Sequence, residues 1–410
     1  MNPAPPSSRP TSRPLRIIQY LPEVILSRGG VVRAVLDWCS IFAERGNQVI
    51  LVTYNSPDVP ADWNGSPGKP KVVWLPAGKA NWFVSTDAVR IWDQLLTPGS
   101  VAHLHCPWTP SNIQMSRAAR RRSVPYIVSI HGMLDDWSMH QRGSKKTIFL
   151  AVGGRRFLTR ADRVHYTANA ERDQGQRWIP NATPLVLPYL IDLSAFHQLP
   201  GPEIARSRFG LTTGVPTLLF LSRLHEKKGV DILIDAADLL RKTGRAFKVI
   251  IAGSAANVDY VDHEYESKLR DQVKRLNLDD TVRFVGLVTG THKLSLYQAA
   301  DLFVLPTLQE NFGLVLIEAM AASTPVLTTR GTDIWREIIS CGGNISENTP
   351  SGLCAAIQKL LTDRLALARS GQSSRALVMN HFNVDRLANE YESLYARIIS
   401  EHKPYLRGRS

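Results

Sequence analysis

Residues 301–329 read DLFVLPTLQENFGLVLIEAMAASTPVLTT and contain the clearest structural pattern of the chain. The stretch opens with an apolar strand pattern at Leu302–Pro306 and closes with a second strand pattern at Val326–Thr329. Between them lie a polar turn at Thr307–Asn311 and an apolar helix pattern over about residues 312–322. A strand, a loop, a helix and a further strand in this order predict one unit of a parallel α/β sheet.

Two glutamates stand in this unit, Glu310 in the loop and Glu318 within the apolar helix. An ionised carboxylate in such an apolar run is costly unless a partner compensates its charge. A hydroxyl-rich ligand would supply partners, and Glu310 follows the carboxyl end of a strand, where α/β folds bind ligands. The alternative interpretation is that Glu318 pairs with a lysine or arginine inside the fold, while Glu310 is simply solvated.

The start of the same helix is a second candidate feature. The free backbone N–H groups of Gly313, Leu314 and Val315 form a helix N-terminus, which favours phosphate. We expect these groups to face the same side as Glu310. The loop is therefore a candidate site for a sugar hydroxyl, a phosphate and a ribose together.

The spacing of Glu310 and Glu318 resembles the E-x7-E motif of the GT4 family of retaining glycosyltransferases. The residues between them that carry the resemblance are Asn311, Phe312, Gly313 and Leu314. The resemblance extends over nearly the whole chain, and it implies the α/β GT-B fold, with two Rossmann-like doubly wound domains facing across a cleft. It also implies a group 1 hexosyltransferase that moves a sugar from a nucleotide-diphosphate sugar to an acceptor hydroxyl, with retention at the anomeric carbon.

Length and composition predict a globular protein of two or three domains, with 410 residues, 44% of them hydrophobic and 21% charged. No apolar run approaches the roughly 18 residues of a membrane span. Residues 1–14 have no apolar core, so we expect a disordered tail rather than a signal peptide. The four cysteines lack close metal-type spacing and are expected to be reduced thiols in a cytosolic protein.

The net charge of +13 has three possible explanations, which are nucleic acid, an anionic membrane surface and a solvated surface. Arginines and lysines concentrate in residues 117–122 and 142–163, where apolar residues are interleaved with them. A basic amphipathic stretch suits a membrane surface, although it can also bury its apolar stripe in its own domain. We predict a cytoplasmic protein in peripheral contact with the inner face of the plasma membrane, without a nucleic-acid partner.

Paired glycines, Gly29 and Gly30, precede the first helix pattern of the chain. Glycines at this place allow the backbone to approach a ligand closely, although a plain tight turn would also use them. The pattern is not G-x-G-x-x-G, so the dinucleotide fingerprint is absent. The resemblance to GT4 enzymes implies that this loop lies beside the donor phosphates and the acceptor.

A histidine, His131, directly follows the strand pattern at Tyr126–Ile130. The end of a parallel strand is the ligand face of such a sheet, although a lone histidine is more often structural. The sequence H-G-M-L-x-x-W, which ends at Trp137, is similar to the acceptor-domain motif of GT4 enzymes. That similarity implies that His131 hydrogen-bonds the transferred sugar near the reacting carbon.

Two cations, Arg223 and Lys228, lie between the strand pattern at Thr217–Leu221 and the helix that starts at Val230. Two cations and free N–H groups can bind a diphosphate, whereas a basic surface turn is the alternative. The sequence R-L-x-x-K-K-G resembles the GT4 phosphate loop. By contrast, the turn that begins at Tyr189 departs from the family's N-G-V-D at its first two positions, which weakens a ligand contact there.

The resemblance implies a complete set of site residues. It makes His131 and Glu310 catalytic, with Glu310 binding sugar hydroxyls and shielding the oxocarbenium-like carbon, and Glu318 binding the ribose diol. The donor-binding residues that it implies are Gly29, Gly30, Arg223, Lys228, Asn311, Phe312, Gly313, Leu314, Val315 and Glu318. No D-x-D sequence occurs, so we predict that no metal or other cofactor is required.

Domain limits follow from the same pattern. We predict domains over 15–195 and 196–380 and a terminal helix over 381–400. The resemblance implies that the first domain binds the acceptor, that the second binds the donor, and that the helix crosses back to the first domain. By analogy, the acceptor is a lipid-linked or growing saccharide of bacterial polysaccharide or lipopolysaccharide synthesis. The rival hypotheses are a GT-B sugar-nucleotide epimerase, a basic nucleic-acid-binding protein, and a nicotinamide-dependent oxidoreductase, which lacks its fingerprint.

Overall fold

The computed structural model describes residues 13–26, 29–54, 56–76, 83–141, 143–254 and 263–403. The predicted disordered tail over 1–14 lies outside these ranges except for its last two residues. In the part of the chain that the structure describes, no helix is both long and apolar enough to cross a membrane.

The first half of the chain forms a parallel sheet of seven strands, and helices cover both of its faces. The strands are β1 Arg16–Tyr20, β2 Gln48–Thr53, β3 Lys71–Trp74, β4 Ser100–His105, β5 Tyr126–Ser129, β6 Arg163–Tyr166 and β7 Pro184–Val186. Their order in the sheet is β3-β2-β1-β4-β5-β6-β7. In register, Ile18 of β1 lies between Ile50 of β2 and Ala102 of β4, and all three side chains are buried. Burial on both faces explains why these strands are nearly continuous apolar runs.

The second half forms a parallel sheet of six strands. They are β8 Thr217–Leu221, β9 Lys248–Ala252, β10 Val282–Gly286, β11 Leu302–Leu305, β12 Val326–Thr329 and β13 Asn344–Ser346. Their order is β10-β9-β8-β11-β12-β13. Each sheet reverses its strand order beside its first strand, as in doubly wound folds. The predicted GT-B class is therefore confirmed, with the first sheet and its helices as the first domain and the second sheet and its helices as the second.

Sixteen α-helices are described. They are α1 Gly30–Glu44, α2 Thr86–Leu95, α3 Pro110–Arg121, α4 Asp136–His140, α5 Gly143–Phe149, α6 Arg155–Thr159, α7 Asn169–Gly175, α8 Glu203–Phe209, α9 Val230–Arg241, α10 His263–Arg275, α11 Gly290–Ala299, α12 Leu314–Ala321, α13 Trp335–Ser340, α14 Pro350–Leu361, α15 Arg364–His381 and α16 Val384–Glu401. A wider helical turn, Leu150–Gly154, joins α5 to α6.

The last helix, α16, packs on the first sheet although α15 packs on the second domain. The hydroxyl of Tyr391 donates a hydrogen bond to the carbonyl oxygen of Pro188 at 2.8 Å. The hydroxyl of Tyr395 lies 2.8 Å from Nδ1 of His103, and Glu392 accepts from the Arg45 guanidinium at 3.0 Å. The chain therefore crosses between the domains a second time before it forms α16.

Candidate active site

The quoted segment folds as a strand, a loop, a helix and a strand, and its glycine sets the start of the helix. Gly313 has a φ of +67°, in the left-handed region, and α12 begins at the next residue. A Cβ on Gly313 would lie 2.9 Å from Cδ1 of Leu316. Because both the backbone and the space favour glycine, the loop turns sharply into α12 at this point. The first N–H groups of the helix have no acceptor within the helix itself.

Glu310 in this loop is partly buried and paired rather than simply solvated. Its carboxylate accepts a hydrogen bond from Nζ of Lys228, whose side chain is only 4% exposed. Burial alone would raise the pKa of Glu310, but the charges of Lys228, Lys227 and Arg223 outweigh burial and lower it. The loop therefore holds an ionised carboxylate among three cations.

The loop after β8 is fixed against the loop after β11. The carbonyl oxygen of Lys227 accepts hydrogen bonds from the backbone N–H of Leu308 and from the hydroxyl of Thr307, both at 2.8 Å. Gly229 has a φ of +67°, and a Cβ there would overlap the carbonyl oxygen of Pro306. This close approach of two backbones is what brings Lys228 to Glu310.

Glu318 lies in the first two turns of α12 and bonds to α11. One of its oxygens accepts from Nζ of Lys293 and the other from the hydroxyl of Tyr297, both at 2.8 Å. The fold therefore supplies the lysine partner that the alternative interpretation required. A carboxylate has about four acceptor positions, so Glu318 keeps capacity for a ligand diol, and its ribose role stays a prediction.

Residues of both domains meet at the glycine pair. A Cβ on Gly29 would lie 3.5 Å from Cζ of Arg223, and one on Gly30 would lie 3.0 Å from Cδ1 of Leu314. The structure thus brings the glycine loop, a phosphate-loop cation and the start of α12 together. Among the other predicted residues, Phe312 has a buried ring, packed 4.6 Å from the ring of Tyr189, so its side chain belongs to the core.

His131 lies at the carboxyl end of β5, and both of its ring nitrogens have protein partners. Nδ1 lies 2.6 Å from the hydroxyl of Tyr189, and Nε2 lies 2.9 Å from Nδ1 of His105. Burial lowers the pKa of His131 to about 3, so the ring is neutral at physiological pH. A hydrogen bond from His131 to a sugar requires it to exchange one of these partners.

Sequence reasoning missed Glu171, which holds the loop that carries His131. Its carboxylate accepts hydrogen bonds from the backbone N–H of Gly132 at 2.6 Å and from the N–H of Thr167 at 2.5 Å. Burial raises the pKa of Glu171 to about 7. Glu171 therefore joins the loops after β5 and β6. Its position in α7, four residues after Thr167, was the only available signal.

Contacts across the cleft hold the two domains close to each other. A Cβ on Gly132 would lie 2.7 Å from Cβ of Asn311. The side-chain N–H of Gln174 donates to Asp333 at 2.9 Å. Nζ of Lys227 lies 4.9 Å from the ring centre of Trp137, within cation–π range. The lysine loop that would bind a diphosphate is therefore in contact with the first domain.

The arrangement is suited to a ligand that carries both hydroxyls and a diphosphate. Arg223 and Lys228 offer charge-assisted donors, and the start of α12 adds backbone N–H groups on the same side. Glu310 offers an acceptor beside them. Such preorganised donors stabilise negative charge that develops on a leaving phosphate.

Comparison with known proteins agrees with this geometry. A family model described as glycosyl transferases group 1 matches residues 203–377, and one described as a glycosyl transferase 4-like domain matches residues 29–189. The chain is similar to a D-inositol 3-phosphate glycosyltransferase of Kineococcus radiotolerans, at 28% identity over 60% of each chain. It is also 29% identical to the alpha-monoglucosyldiacylglycerol synthase of Streptococcus pneumoniae, over 51% of this chain.

The chain covers 60% of the length of the Kineococcus protein and 47% of that of the Streptococcus protein. Among solved structures, sucrose-phosphate synthase from Thermosynechococcus elongatus superposes with a TM-score of 0.76. That match covers 94% of this chain and 99% of the other at 22% identity, so it concerns the fold. The two family models, the two doubly wound sheets and the site between them lead to one conclusion. The chain belongs to the group 1 glycosyltransferases and has the GT-B fold of the GT4 family.

Proposed function

We propose that this protein transfers a sugar from a nucleotide-diphosphate sugar to an acceptor hydroxyl, with retention at the anomeric carbon. The observation that carries the proposal is the cluster of Arg223 and Lys228 beside Glu310, facing Gly29 across the cleft. A diphosphate bound there would meet two cations and a helix N-terminus.

In this proposal each charged residue has one task. Arg223, Lys228 and the N–H groups that follow Gly313 stabilise the leaving diphosphate. Glu310 binds sugar hydroxyls and shields the oxocarbenium-like carbon, and Glu318 binds the ribose diol. Donor binding then separates Lys228 from Glu310, because the diphosphate replaces the carboxylate as the partner of the lysine.

Transfer follows a front-face course. The bond between the anomeric carbon and the diphosphate oxygen breaks, and the acceptor oxygen bonds to the same face of that carbon. The leaving diphosphate takes the proton of the acceptor hydroxyl. His131 positions the sugar during this exchange. A neutral imidazole suits that task, because it can accept or donate a hydrogen bond without a net charge.

The acceptor we propose is a lipid-linked or growing saccharide of bacterial polysaccharide or lipopolysaccharide synthesis, reached by peripheral contact with a membrane. The Streptococcus relative supports a lipid acceptor, since its name describes synthesis of a glucosylated diacylglycerol. The basic surface of the first domain supports contact with an anionic membrane.

The reaction we propose needs no metal, because the two cations and the helix N-terminus already meet the leaving charge. Transfer measured in excess chelator should equal transfer in added Mg²⁺. A complete loss of turnover in chelator would show that this part of the proposal is wrong.

The deciding experiment is a thermal-shift panel of UDP, GDP, ADP and their common sugars on the wild type and on Glu318→Ala. A ligand that binds only the folded state raises the melting temperature by mass action. We expect one nucleotide series to stabilise the wild type and to lose its effect on the variant. The matched control is Glu264→Ala, which removes an exposed Glu–Lys pair of α10 and should respond like the wild type.

Two other outcomes would contradict the proposal. If no nucleotide raises the melting temperature, the donor site is wrongly assigned. If a stabilising sugar nucleotide is converted to its epimer without any acceptor, the protein is an epimerase instead.

A further inference from the structure

A buried glutamine interrupts the apolar strand β1. Gln19 and its neighbours in the strand, Ile18 and Tyr20, have no exposed surface. A buried amide is costly unless it is hydrogen-bonded, so a glutamine at this position needs a polar partner inside the domain. The partner is His105 of the adjacent strand β4, whose Nε2 lies 2.7 Å from the side-chain oxygen Oε1 of Gln19. Neither residue has a task in the transfer reaction as described so far.

The contact with Gln19 fixes which nitrogen of His105 carries the proton. Because a carbonyl oxygen only accepts, Nε2 of His105 donates. Burial lowers the pKa of His105 well below its usual range, so the ring is neutral and its Nδ1 is an acceptor. That Nδ1 lies 2.9 Å from Nε2 of His131 and accepts a hydrogen bond from it. His131 therefore carries its own proton on Nε2, and its Nδ1 accepts from the hydroxyl of Tyr189 at 2.6 Å.

The four side chains form one chain of hydrogen bonds, and all of its bonds point the same way, from the tyrosine through the two histidines to the glutamine. All four are buried, and hydrogen bonds in such a chain polarise one another. The hydroxyl of Tyr189 gives its only proton to the chain, so on its other side this oxygen can only accept. The ring of Tyr189 packs 4.6 Å from the ring of Phe312, so the electron-rich end of the chain lies beside the loop after β11.

A second chain of buried hydrogen bonds lies beside the first and does not include His131. The carbonyl oxygen of Leu187 accepts from Nε2 of His165 at 2.8 Å, so Nδ1 of His165 accepts from the hydroxyl of Ser129 at 2.7 Å. The oxygen of Ser129 in turn accepts from Nε2 of His103, also at 2.7 Å. Ser129 therefore does for one histidine of β4 what the glutamine does for the other, and it offers a matched control.

We propose that Gln19 and His105 are positioning residues of the transfer reaction, which hold the proton of His131 on Nε2. His131 and Tyr189 then turn lone pairs, rather than N–H or O–H groups, toward the transferred sugar. Positive charge develops on the anomeric carbon as the diphosphate leaves, and fixed dipoles with their negative ends toward that carbon stabilise it. The inference rests on the role of His131 in the proposed function.

The first test is Gln19→Met, because methionine fills a similar space and its thioether is only a weak acceptor. Nε2 of His105 then loses its partner, so this ring moves its proton to Nδ1 and donates to His131, which must carry its own proton on Nδ1. Nitrogen NMR of the full-length protein with ¹⁵N-labelled histidine distinguishes the two tautomers, and the signals missing from His131→Asn identify the ring. We expect the proton on Nε2 in the wild type and mainly on Nδ1 in Gln19→Met. His105→Phe keeps a ring at this position, removes the acceptor and should have the same effect.

The second measurement is turnover, followed as release of nucleoside diphosphate from UDP-glucose, GDP-mannose and ADP-glucose. Gln19→Met and His105→Phe should lower kcat about tenfold, as for loss of one hydrogen bond that acts in the transition state. The KM for the donor should stay within about twofold, because the cations that bind the diphosphate are unchanged. Ser129→Ala removes a buried acceptor of the same kind, yet it should keep the tautomer of His131 and the kcat of the wild type. Melting temperatures confirm that all variants fold.

Four results would overturn the proposal. Wild-type His131 carries its proton on Nδ1, which means that the chain of hydrogen bonds runs the other way. The folded variants Gln19→Met and His105→Phe keep the wild-type tautomer. The tautomer changes while kcat does not. Ser129→Ala changes the tautomer and kcat as much as they do, which indicates a general loss of packing. A wild type that releases no nucleoside diphosphate from any of the three donors contradicts the proposed function instead, and the NMR spectra still decide whether Gln19 sets the tautomer.

Discussion

The hydroxyl of Tyr189 lies 2.6 Å from Nδ1 of His131, and the ring of the same tyrosine packs 4.6 Å from the ring of Phe312. One side chain therefore joins a histidine of the first domain to the loop that carries Glu310. At this position the chain departs from the GT4 pattern, and the departure creates a contact inside the protein rather than a gap.

Replacement of Tyr189 by phenylalanine tests this contact. The variant leaves Nδ1 of His131 without its buried partner, which should lower the free energy of unfolding by about 1–3 kcal/mol. It should also lower kcat for glycosyl transfer, because the imidazole loses one of the two bonds that orient it. Urea denaturation and steady-state kinetics measure the two effects.

The control for that variant is Tyr166→Phe. The hydroxyl of Tyr166 is buried and has no hydrogen-bond partner among the described residues. Its loss should change stability by less than about 0.5 kcal/mol and leave kcat unaltered. Equal effects of the two substitutions would mean that the Tyr189 hydroxyl does not position His131.

Replacement of Lys228 by methionine should destabilise the protein, because it leaves the partly buried carboxylate of Glu310 without its lysine partner. The cost should lie between the roughly 0–1 kcal/mol of an exposed ion pair and the roughly 3–5 kcal/mol of a fully buried one. The double variant Lys228→Met/Glu310→Gln should recover part of that loss while it stays inactive. The exposed pair Glu264–Lys268 is the control. A double-mutant cycle on that pair should give a coupling free energy of about 0–1 kcal/mol. If the losses in the free energy of unfolding caused by Lys228→Met and Glu310→Gln simply add up in the double variant, the two side chains do not interact.

Asp333 should make stability depend on pH. Burial, followed by the charges of Glu171 and Asp135, raises the pKa of Asp333 to about 9. The folded state keeps a proton that the unfolded chain releases near pH 4, so stability is highest below that pH and falls as the pH rises toward 9. Asp333→Asn mimics the protonated acid and keeps the oxygen that accepts from Gln174.

We therefore expect Asp333→Asn to be more stable than the wild type at pH 8.5, by at least about 1 kcal/mol, and to lose this advantage at pH 4.5. Melting temperatures at the two pH values measure the effect. Asp271→Asn, at an exposed position of α10, should leave the pH profile unchanged. Parallel profiles for Asp333→Asn and the wild type would show that Asp333 is ionised in the folded state.

Gly132→Ala should open the cleft. The new Cβ would lie 2.7 Å from Cβ of Asn311, at a φ of +71° that costs a non-glycine residue about 1–2 kcal/mol. Gly99→Ala carries nearly the same backbone strain, at a φ of +82°, but its Cβ would contact nothing within 4 Å. We expect Gly132→Ala to bind the donor more weakly than Gly99→Ala does, as measured by calorimetry. Because the backbone strain is nearly the same in both variants, the difference reports the contact between the domains. Equal donor affinities of the two variants would show that the contact between Gly132 and Asn311 does not affect donor binding.

The sequence predicted the strands well wherever they are buried on both faces. Thr217–Leu221 and Val326–Thr329 have the predicted limits, because a continuous apolar run between polar turns marks a strand of a parallel sheet. Strand β13, Asn344–Ser346, escaped prediction, since three half-buried residues carry no such run. Its place at the edge of the sheet explains that composition.

Local sequence patterns indicated which residues belong to the candidate site, but not the contacts that distant residues make there. Glu310, Gly313 and Glu318 lie on one loop and one helix, so their spacing carried the information. His131 and Tyr189 are 58 positions apart, and Gly132 and Glu171 are 39 apart. Contacts over such distances depend on how the sheet arranges its loops, and no local pattern encodes them. The limits of the domains and the ligand roles of the site residues stay predictions.

The return of α16 to the first sheet has a mechanical consequence for the cleft. Because the chain crosses between the domains twice, the domains can separate only by rotation about a line through the two crossings. Tyr189 belongs to the first crossing and Phe382 to the second, and the rings of both pack against Phe312. Phe312 therefore contacts both crossings, and the loop that carries Glu310 lies beside them.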